Sequence, residues 1–331
     1  MNTPTHVTVV EVGPRDGFQM ERAFIPTDLK VAIVDLLSSS GLSAIEATSF
    51  VNPKVIPQMS DSDELMRRIH RRPGVRYSAL ILNVKGAHRA VAARVDAVRF
   101  VVCASETYNQ KNMNMSIAQS LAALREVIAI CVPAGIHVEP AISVAFGCPF
   151  EGEVPESRVI ALAEAYAAMG LRDICIADTV GLANPRTVRR LLGELREVLP
   201  HCTFALHLHD TRGLGLANVL AAMDVGVVTF ESSLGGLGGC PTTKVATGNI
   251  STEDLVNLCD EMGIETGVDI EVIREASRRI QDFLERPLPS HVLAAGTRRM
   301  LFERVRERLK NGRLSWGDAL RQPNLPDRPE V

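Results

Sequence analysis

The feature that most constrains this chain is the alternation of short β-branched runs with longer helical stretches. Strand patterns occupy 6–12 (HVTVVEV), 43–48 (SAIEAT), 75–81 (VRYSALI), 97–103 (AVRFVVC), 137–145 (HVEPAISVA), 173–178 (DICIAD), 203–210 (TFALHLHD) and 227–233 (VVTFESS). Helical patterns lie between them, for example over 27–41, 116–135, 157–170 and 184–199, and several stop at a glycine, as at Gly41, Gly135 and Gly170. Repeated strand–helix units imply a parallel sheet covered by helices, an α/β fold. Eight units in about 260 residues match a closed (β/α)8 TIM barrel. An open doubly wound sheet is the alternative, but no strand here is followed by a G-x-G-x-x-G turn opening a helix.

After residue 251 the pattern is helical, and Ser251 stands where an N-cap belongs. The barrel with these added C-terminal helices is expected to fill residues 1–290. A helical extension and proline-rich tail follow over 291–331. Within it, 298–313 (RRMLFERVRERLKNGR) reads as a basic amphipathic helix, either a solvated surface element or one that covers a ligand's phosphate or meets a second subunit.

At 331 residues, with 46% hydrophobic and 23% charged side chains, the chain can bury a sizeable core. Its net charge of −3 and 4% aromatic content argue against nucleic acid and anionic membranes as main partners. No apolar run reaches the roughly 18 residues of a membrane span. Seven cysteines, an odd number with no CxxC pair, sit mostly in apolar runs and suit a reducing compartment. Residues 1–17 show no basic or apolar targeting pattern, so a cytoplasmic protein is expected.

In a parallel barrel, functional side chains collect where strands run into βα loops. The strand ends here carry Arg15, Asp16 and Gln19; Glu46 and Ser49; Asp178 and Thr179; and His207, His209 and Asp210. In His207-Leu208-His209 the alternation of strand side chains turns both imidazoles to one side, the barrel interior. With the Asp16 carboxylate and an amide oxygen from Asn249 they form a mixed nitrogen and oxygen site. Such a set suits Mg²⁺ or Mn²⁺ better than zinc, which favours thiolate. An H-x-H pair by itself also fits two inward histidines that only hydrogen-bond. Arg15 and Asp16 read either as a surface turn with a local ion pair or, since neighbours in a turn often point apart, as Asp16 turned to the ion and Arg15 to a developing anion.

The run Gly235-Gly236-Leu237-Gly238-Gly239-Cys240-Pro241 reads as a mobile loop whose backbone can approach a ligand closely. No Lys-Ser/Thr follows at Walker spacing. Cys240, on a loop able to close, suits a proton donor or a nucleophile. The plainer reading is a flexible connector.

Taken together, VEVGPRDGFQ (10–19), IEATSFVNPKVIPQMSD (45–61), FGCPFEG (146–152), ADTVGLANP (177–185), LHLHDTRGLGLANVLAAMDVGV (206–227) and SSLGGLGGCP through TGNISTEDLV (232–256) resemble the 3-hydroxy-3-methylglutaryl-CoA lyases, within the DRE-type metal-dependent lyase superfamily. The resemblance implies a TIM barrel that splits 3-hydroxy-3-methylglutaryl-CoA into acetyl-CoA and acetoacetate, acting on a CoA thioester as a homo-oligomer. It implies Asp16, His207, His209 and Asn249 as ligands of a divalent cation, Arg15 facing the enolate, and Cys240 as acid. Glu46 and Asp178 would line the site, with Gln19, Ser49 and Thr179 nearby as substrate-binding positions. After Gly-Gly-Cys-Pro the chain reads TTKVATGN where those lyases tend to have Tyr-Ala, which bears on acyl specificity and leaves citramalyl-CoA open as a substrate.

A condensing synthase of the same superfamily is the nearest rival, although those enzymes tend to show H-x-H-N-D and a large further domain. This chain has His207-Leu208-His209-Asp210-Thr211. A non-catalytic barrel would predict neither metal binding nor any effect of changing Cys240 or His207.

Overall fold

The computed structural model describes residues 3–239 and 248–310. Eight strands, β1 (Thr8–Glu11), β2 (Ala44–Ser49), β3 (Arg76–Ile81), β4 (Ala97–Cys103), β5 (His137–Ser143), β6 (Asp173–Asp178), β7 (Thr203–Leu208) and β8 (Thr229–Ser232), close into a barrel in sequence order. Every neighbouring pair is parallel, including β8 back to β1. The helices between them are α1 (Thr27–Ser38), α2 (Ser62–Arg68), α3 (Val84–Ala93), α4 (Glu106–Met113), α5 (Ile117–Cys131), α6 (Glu156–Ala168), α7 (Pro185–Val198) and α8 (Gly215–Asp224). After β8 come α9 (Thr252–Glu261) and α10 (Ile270–Leu284). This is a (β/α)8 TIM barrel with additional C-terminal helices.

Local chemistry sets the helix starts. Asn184 accepts from the backbone N–H of Arg186 and Thr187, both at 3.1 Å, and Pro185 occupies the first helical position of α7. Ser116 and Gln119 close a capping box on α5, and Ser251 caps α9 through the Asp254 N–H. α7 then buries Val188, Leu191, Leu192 and Leu195, an i, i+3, i+4, i+7 stripe that faces the sheet.

The strands separate two interiors. Val98, Phe100 and Val102 of β4, Ile174 and Ile176 of β6, and Leu206 and Leu208 of β7 are buried between sheet and helices. The alternate positions face the barrel axis, where branched aliphatic layers are usual. In this chain they include Arg99 on β4, Glu139 on β5 and Glu231 on β8, all buried. Arg99 crosses the barrel to an oxygen of Glu231 and also lies 3.3 Å from Glu139.

One sequence expectation needs correction. The stretch Ile117–Ala134 is long and apolar enough, by length and composition, to cross a membrane. Arg125 and Glu126 interrupt it, which is why it does not read as a continuous apolar run. It folds as α5 and a following 3-10 turn, with Leu124, Val127 and Cys131 buried and the helix in contact with β4 and β5.

The chain divides into two compact units, Met1–Ser290 and His291–Val331. In the second, α11 (His291–Ala295) and α12 (Arg298–Lys310) are the described helices. No residue of α12 is buried, and Leu301, Phe302, Val305 and Leu309 are exposed large apolar side chains.

Candidate active site

The site begins with the β7–β8 register. His207 stands beside Glu231 on the neighbouring parallel strand, so both side chains enter the barrel together. Their contact is 2.9 Å, from His207 Nδ1 to Glu231 Oε2. Two residues on, His209 follows with its ring 5.1 Å from that of His207. Beyond β1 the chain turns tightly through Gly13–Gly17 and presents Arg15 and Asp16, both buried. Asp16 Oδ2 lies 3.9 Å from His209 Nε2, and ligating atoms of Asp16, His207 and His209 fall within 4.8 Å of one another.

Asn249 joins this group from the segment after β8, where it bridges to His209. Its Nδ2 donates to Asp16 Oδ2 at 2.8 Å and to the Leu237 carbonyl at 3.1 Å. Its Oδ1 is buried without a hydrogen-bond partner among the described residues. A buried amide oxygen in that state is costly unless something electropositive meets it. A carboxylate, two imidazoles and a spare amide oxygen are the hard and borderline donors that a divalent cation takes. The residues therefore fit a metal.

Arg15 does not turn away from Asp16: of the two readings the local ion pair is the one found, with both residues buried and not on a surface turn. Its Nη1 donates to Asp16 Oδ1, while Nε and Nη2 lie 2.9 and 2.7 Å from Glu46 Oε2. The tight helical turn brings the two side chains to one side, and their opposite charges, buried together, favour pairing. Gln19 donates to the same Asp16 oxygen at 3.1 Å.

Burial alone would raise the Asp16 pKa, but Arg15, His207 and His209 outweigh it and hold the carboxyl below its ordinary value. Burial raises Glu46, offset in part by Arg15. Burial works against a charged His207, yet the Glu231 hydrogen bond carries its pKa above the ordinary histidine value. Glu231 itself is lowered: burial opposes its charge, and Arg99 and His207 more than offset that.

A cleft of about 490 Å³ opens over these groups, lined in part by Arg15, Asp16, Gln19, His207, His209 and Thr179. Arg99, Cys175 and Glu231 also line it, and Tyr108 and Asn112 of α4 stand at another wall. Thr179 is tied down there. Its Oγ1 pairs with Ser143 Oγ at 2.7 Å and accepts from the Val144 N–H at 2.8 Å. Val144 is a buried β-branched residue at φ 52°, a conformation that stores strain and needs such support.

Four of the expected site residues, Asn249 among them, are not among those lining the cleft. Glu46 and Ser49 are fully buried on β2, Glu46 behind Arg15. Asp178 gives its carboxylate to the backbone N–H groups of Leu182 at 2.7 Å and Ala183 at 3.0 Å, holding the loop after β6. Burial pushes its pKa up to about 6.

The described part of the glycine loop differs from the expected mobile segment. Leu234, Gly235, Gly236 and Leu237 are buried. Glu11 accepts from the Leu234 N–H at 2.9 Å, and Glu253 accepts from the Gly235 N–H at 2.9 Å. Gly238, at φ 129°, runs so close to Asn249 that a Cβ there would meet its Nδ2 at 2.6 Å. Gly239 lines the cleft, and Cys240 lies outside the described residues.

Sequence reasoning missed Glu231, Arg99 and Glu139. The signal was present: a charged residue in the middle of a parallel strand otherwise read as buried (VRFVV, HVEPA, VTFES) needs a partner inside the barrel.

A model of the HMGL-like family matches residues 6–280. The chain belongs to the HMGL-like family. Among family relatives, the mitochondrial hydroxymethylglutaryl-CoA lyase of Gallus gallus is 41% identical over 89% of this chain and 99% of its own length. The cytoplasmic 3-hydroxy-3-methylglutaryl-CoA lyase of Rattus norvegicus is 41% identical over 82% of this chain and 80% of its own. The solved structure of an HMG-CoA lyase from Acinetobacter baumannii, in complex with coenzyme A and 3-methylmalate, has a TM-score of 0.85 and 42% identity, over 89% of this chain and 96% of that one.

Proposed function

We propose that this chain is a divalent-metal-dependent carbon–carbon lyase that cleaves 3-hydroxy-3-methylglutaryl-CoA to acetyl-CoA and acetoacetate. The observation that carries this reading is the meeting of Asp16, His207, His209 and the spare Asn249 oxygen under an open cleft. Membership of the HMGL-like family and relatives named for this reaction support it. The coenzyme A complex of the Acinetobacter baumannii relative supports a CoA thioester as substrate.

The proposed ligands are Asp16, His207, His209 and Asn249, and the donor set favours Mg²⁺ or Mn²⁺. Bound there, the ion supplies Lewis-acid polarisation that acidifies the tertiary hydroxyl of the substrate. The protein's own groups do the rest. A histidine or carboxylate of the site takes the hydroxyl proton as the C2–C3 bond breaks. Arg15 stabilises the thioester enolate that forms: each of its terminal nitrogens keeps a second N–H beyond those facing Asp16 and Glu46. Glu46 fixes that guanidinium from behind. Cys240 then protonates the carbon, a role supported by Gly239, the residue before it, lining the cleft. Gln19 and Thr179, which line the cleft, are assigned to substrate binding, whereas Ser49 and Asp178 lie behind its wall and are assigned to holding its shape. Holding the loop after β6 is the support for Asp178.

The barrel and its C-terminal helices, residues 1–290, are proposed as the catalytic unit, and 291–331 as an extension. Homo-oligomerisation is proposed as well, supported by the apolar side chains exposed on α12. A reducing compartment, the cytoplasm, is favoured by the unbridged cysteines Cys103, Cys131, Cys148, Cys175, Cys202 and Cys259.

The test is an assay of purified protein with 3-hydroxy-3-methylglutaryl-CoA and Mg²⁺ or Mn²⁺, following acetoacetate. Equal release of acetyl-CoA and acetoacetate, abolished by chelator, supports the proposal. Pyruvate from citramalyl-CoA, with no acetoacetate from the first substrate, moves the assignment to that thioester. Free CoA released from acetyl-CoA and a 2-oxoacid moves it to a synthase.

A further inference from the structure

We infer that Glu231 and Arg99 are positioning residues for His207: Arg99 fixes the Glu231 carboxylate from across the barrel, and Glu231 fixes the imidazole with its proton on Nδ1 and its lone pair on Nε2. The inference rests on the proposed reading of His207 as a metal ligand. A carboxylate only accepts, so the 2.9 Å contact places hydrogen on Nδ1 and leaves Nε2 as the nitrogen able to bind a cation. Register makes the contact short, since His207 and Glu231 are neighbours on adjacent parallel strands.

Glu231 is in turn held. Its other carboxylate oxygen meets Arg99, which lies 3.3 Å from Glu139, and Glu139 meets Arg76 at 2.9 Å. Arg99, Glu139, Glu231 and His207 are all buried. Ions in such a place contribute little net stability, because desolvation opposes their attraction. What the arrangement does provide is one fixed orientation and tautomer for an imidazole at the cleft. A carboxylate behind a ligating histidine does this in metal sites generally.

The test is a Mn²⁺ titration of chelator-stripped protein, reading free Mn²⁺ by electron paramagnetic resonance, so that no turnover is needed. Glu231→Gln should weaken Mn²⁺ binding by about 10–100-fold. Arg99→Met should weaken it in the same direction, and Arg99→Lys should recover part of the loss. In a His207→Ala background, Glu231→Gln should have no further effect, because it acts through the imidazole. Unchanged affinity in Glu231→Gln, or the same loss with and without His207, overturns the inference while leaving the ligand set standing. Full affinity in His207→Ala overturns the ligand reading and the inference with it. Nitrogen-15 spectra of the wild-type His207 ring give a check that needs no variant. In the neutral ring, reached by raising the pH, hydrogen on Nδ1 supports the inference, and hydrogen on Nε2 with a bare Nδ1 overturns it.

Discussion

Asn249 donates its amide nitrogen to Asp16 Oδ2 at 2.8 Å, joining the segment after β8 to the turn after β1. The bond fixes which amide atom is left over. With Nδ2 shared between Asp16 and the Leu237 carbonyl, Oδ1 is the atom that stays buried and unbonded among the described residues. Asn249 therefore both orients Asp16 and offers a donor of its own. Replacing it with alanine is expected to weaken Mn²⁺ binding by at least about tenfold, or about 1.4 kcal/mol. Calorimetric titration of wild type and Asn249→Ala checks this, and equal affinities would remove Asn249 from the ligand set.

Arg15→Met removes the cation proposed to meet the enolate. That charge exists only as the reaction proceeds, so kcat should fall by about 10²–10³-fold with a smaller change in KM. Steady-state kinetics decide the matter. A rise in KM alone would make Arg15 a binder of the ground-state thioester.

Thr179→Val keeps the side-chain shape and removes the acceptor for the Val144 N–H, whose residue is already strained at φ 52°. The buried N–H is left unsatisfied, at a cost of about 1–3 kcal/mol. Urea denaturation of the two proteins should show that loss; matching midpoints would mean that the strained turn is held by other contacts.

Two buried carboxyls at the root of the glycine loop set a pH dependence. Burial pushes Glu11 up to about 8 and Glu253 up to about 7. From the ordinary carboxyl range up to those values the native state keeps protons that the unfolded chain has released. Stability from these groups is therefore present at low pH and lost as pH rises through that window. Glu231 and Asp16, both lowered, act the other way and only toward acid. Tm should thus decline between about pH 5 and pH 8, and Glu11→Gln should flatten part of the decline. An unchanged slope in Glu11→Gln would assign the dependence elsewhere.

Much of the barrel is legible in the sequence because each strand carries apolar residues at the positions facing the helices, as Val98, Phe100 and Val102 do. The helices announce themselves through caps such as Asn184-Pro185 and Ser251. The H-x-H pair is legible too, since strand alternation puts both rings on one side. Other features depend on contacts between distant segments. Arg99 and Glu231 are 132 residues apart, and nothing local says that they meet across the barrel. Arg15 and Asp16 pair because a tight helical turn, unmarked by any apolar period, brings adjacent side chains together. The glycine run reads as mobile from its composition alone. Its root is packed because Glu11, 223 residues away from Leu234, and Glu253, 18 residues beyond Gly235, supply acceptors for its backbone.

The central claim, that donors from β1, β7 and the segment after β8 surround one ion, is tested most directly by a crystal grown with Mn²⁺ and examined at the manganese absorption edge. The expected result is a single anomalous peak within direct coordination distance of Asp16, His207 Nε2, His209 and Asn249 Oδ1. A peak bound elsewhere, or none at saturating Mn²⁺, would contradict the account.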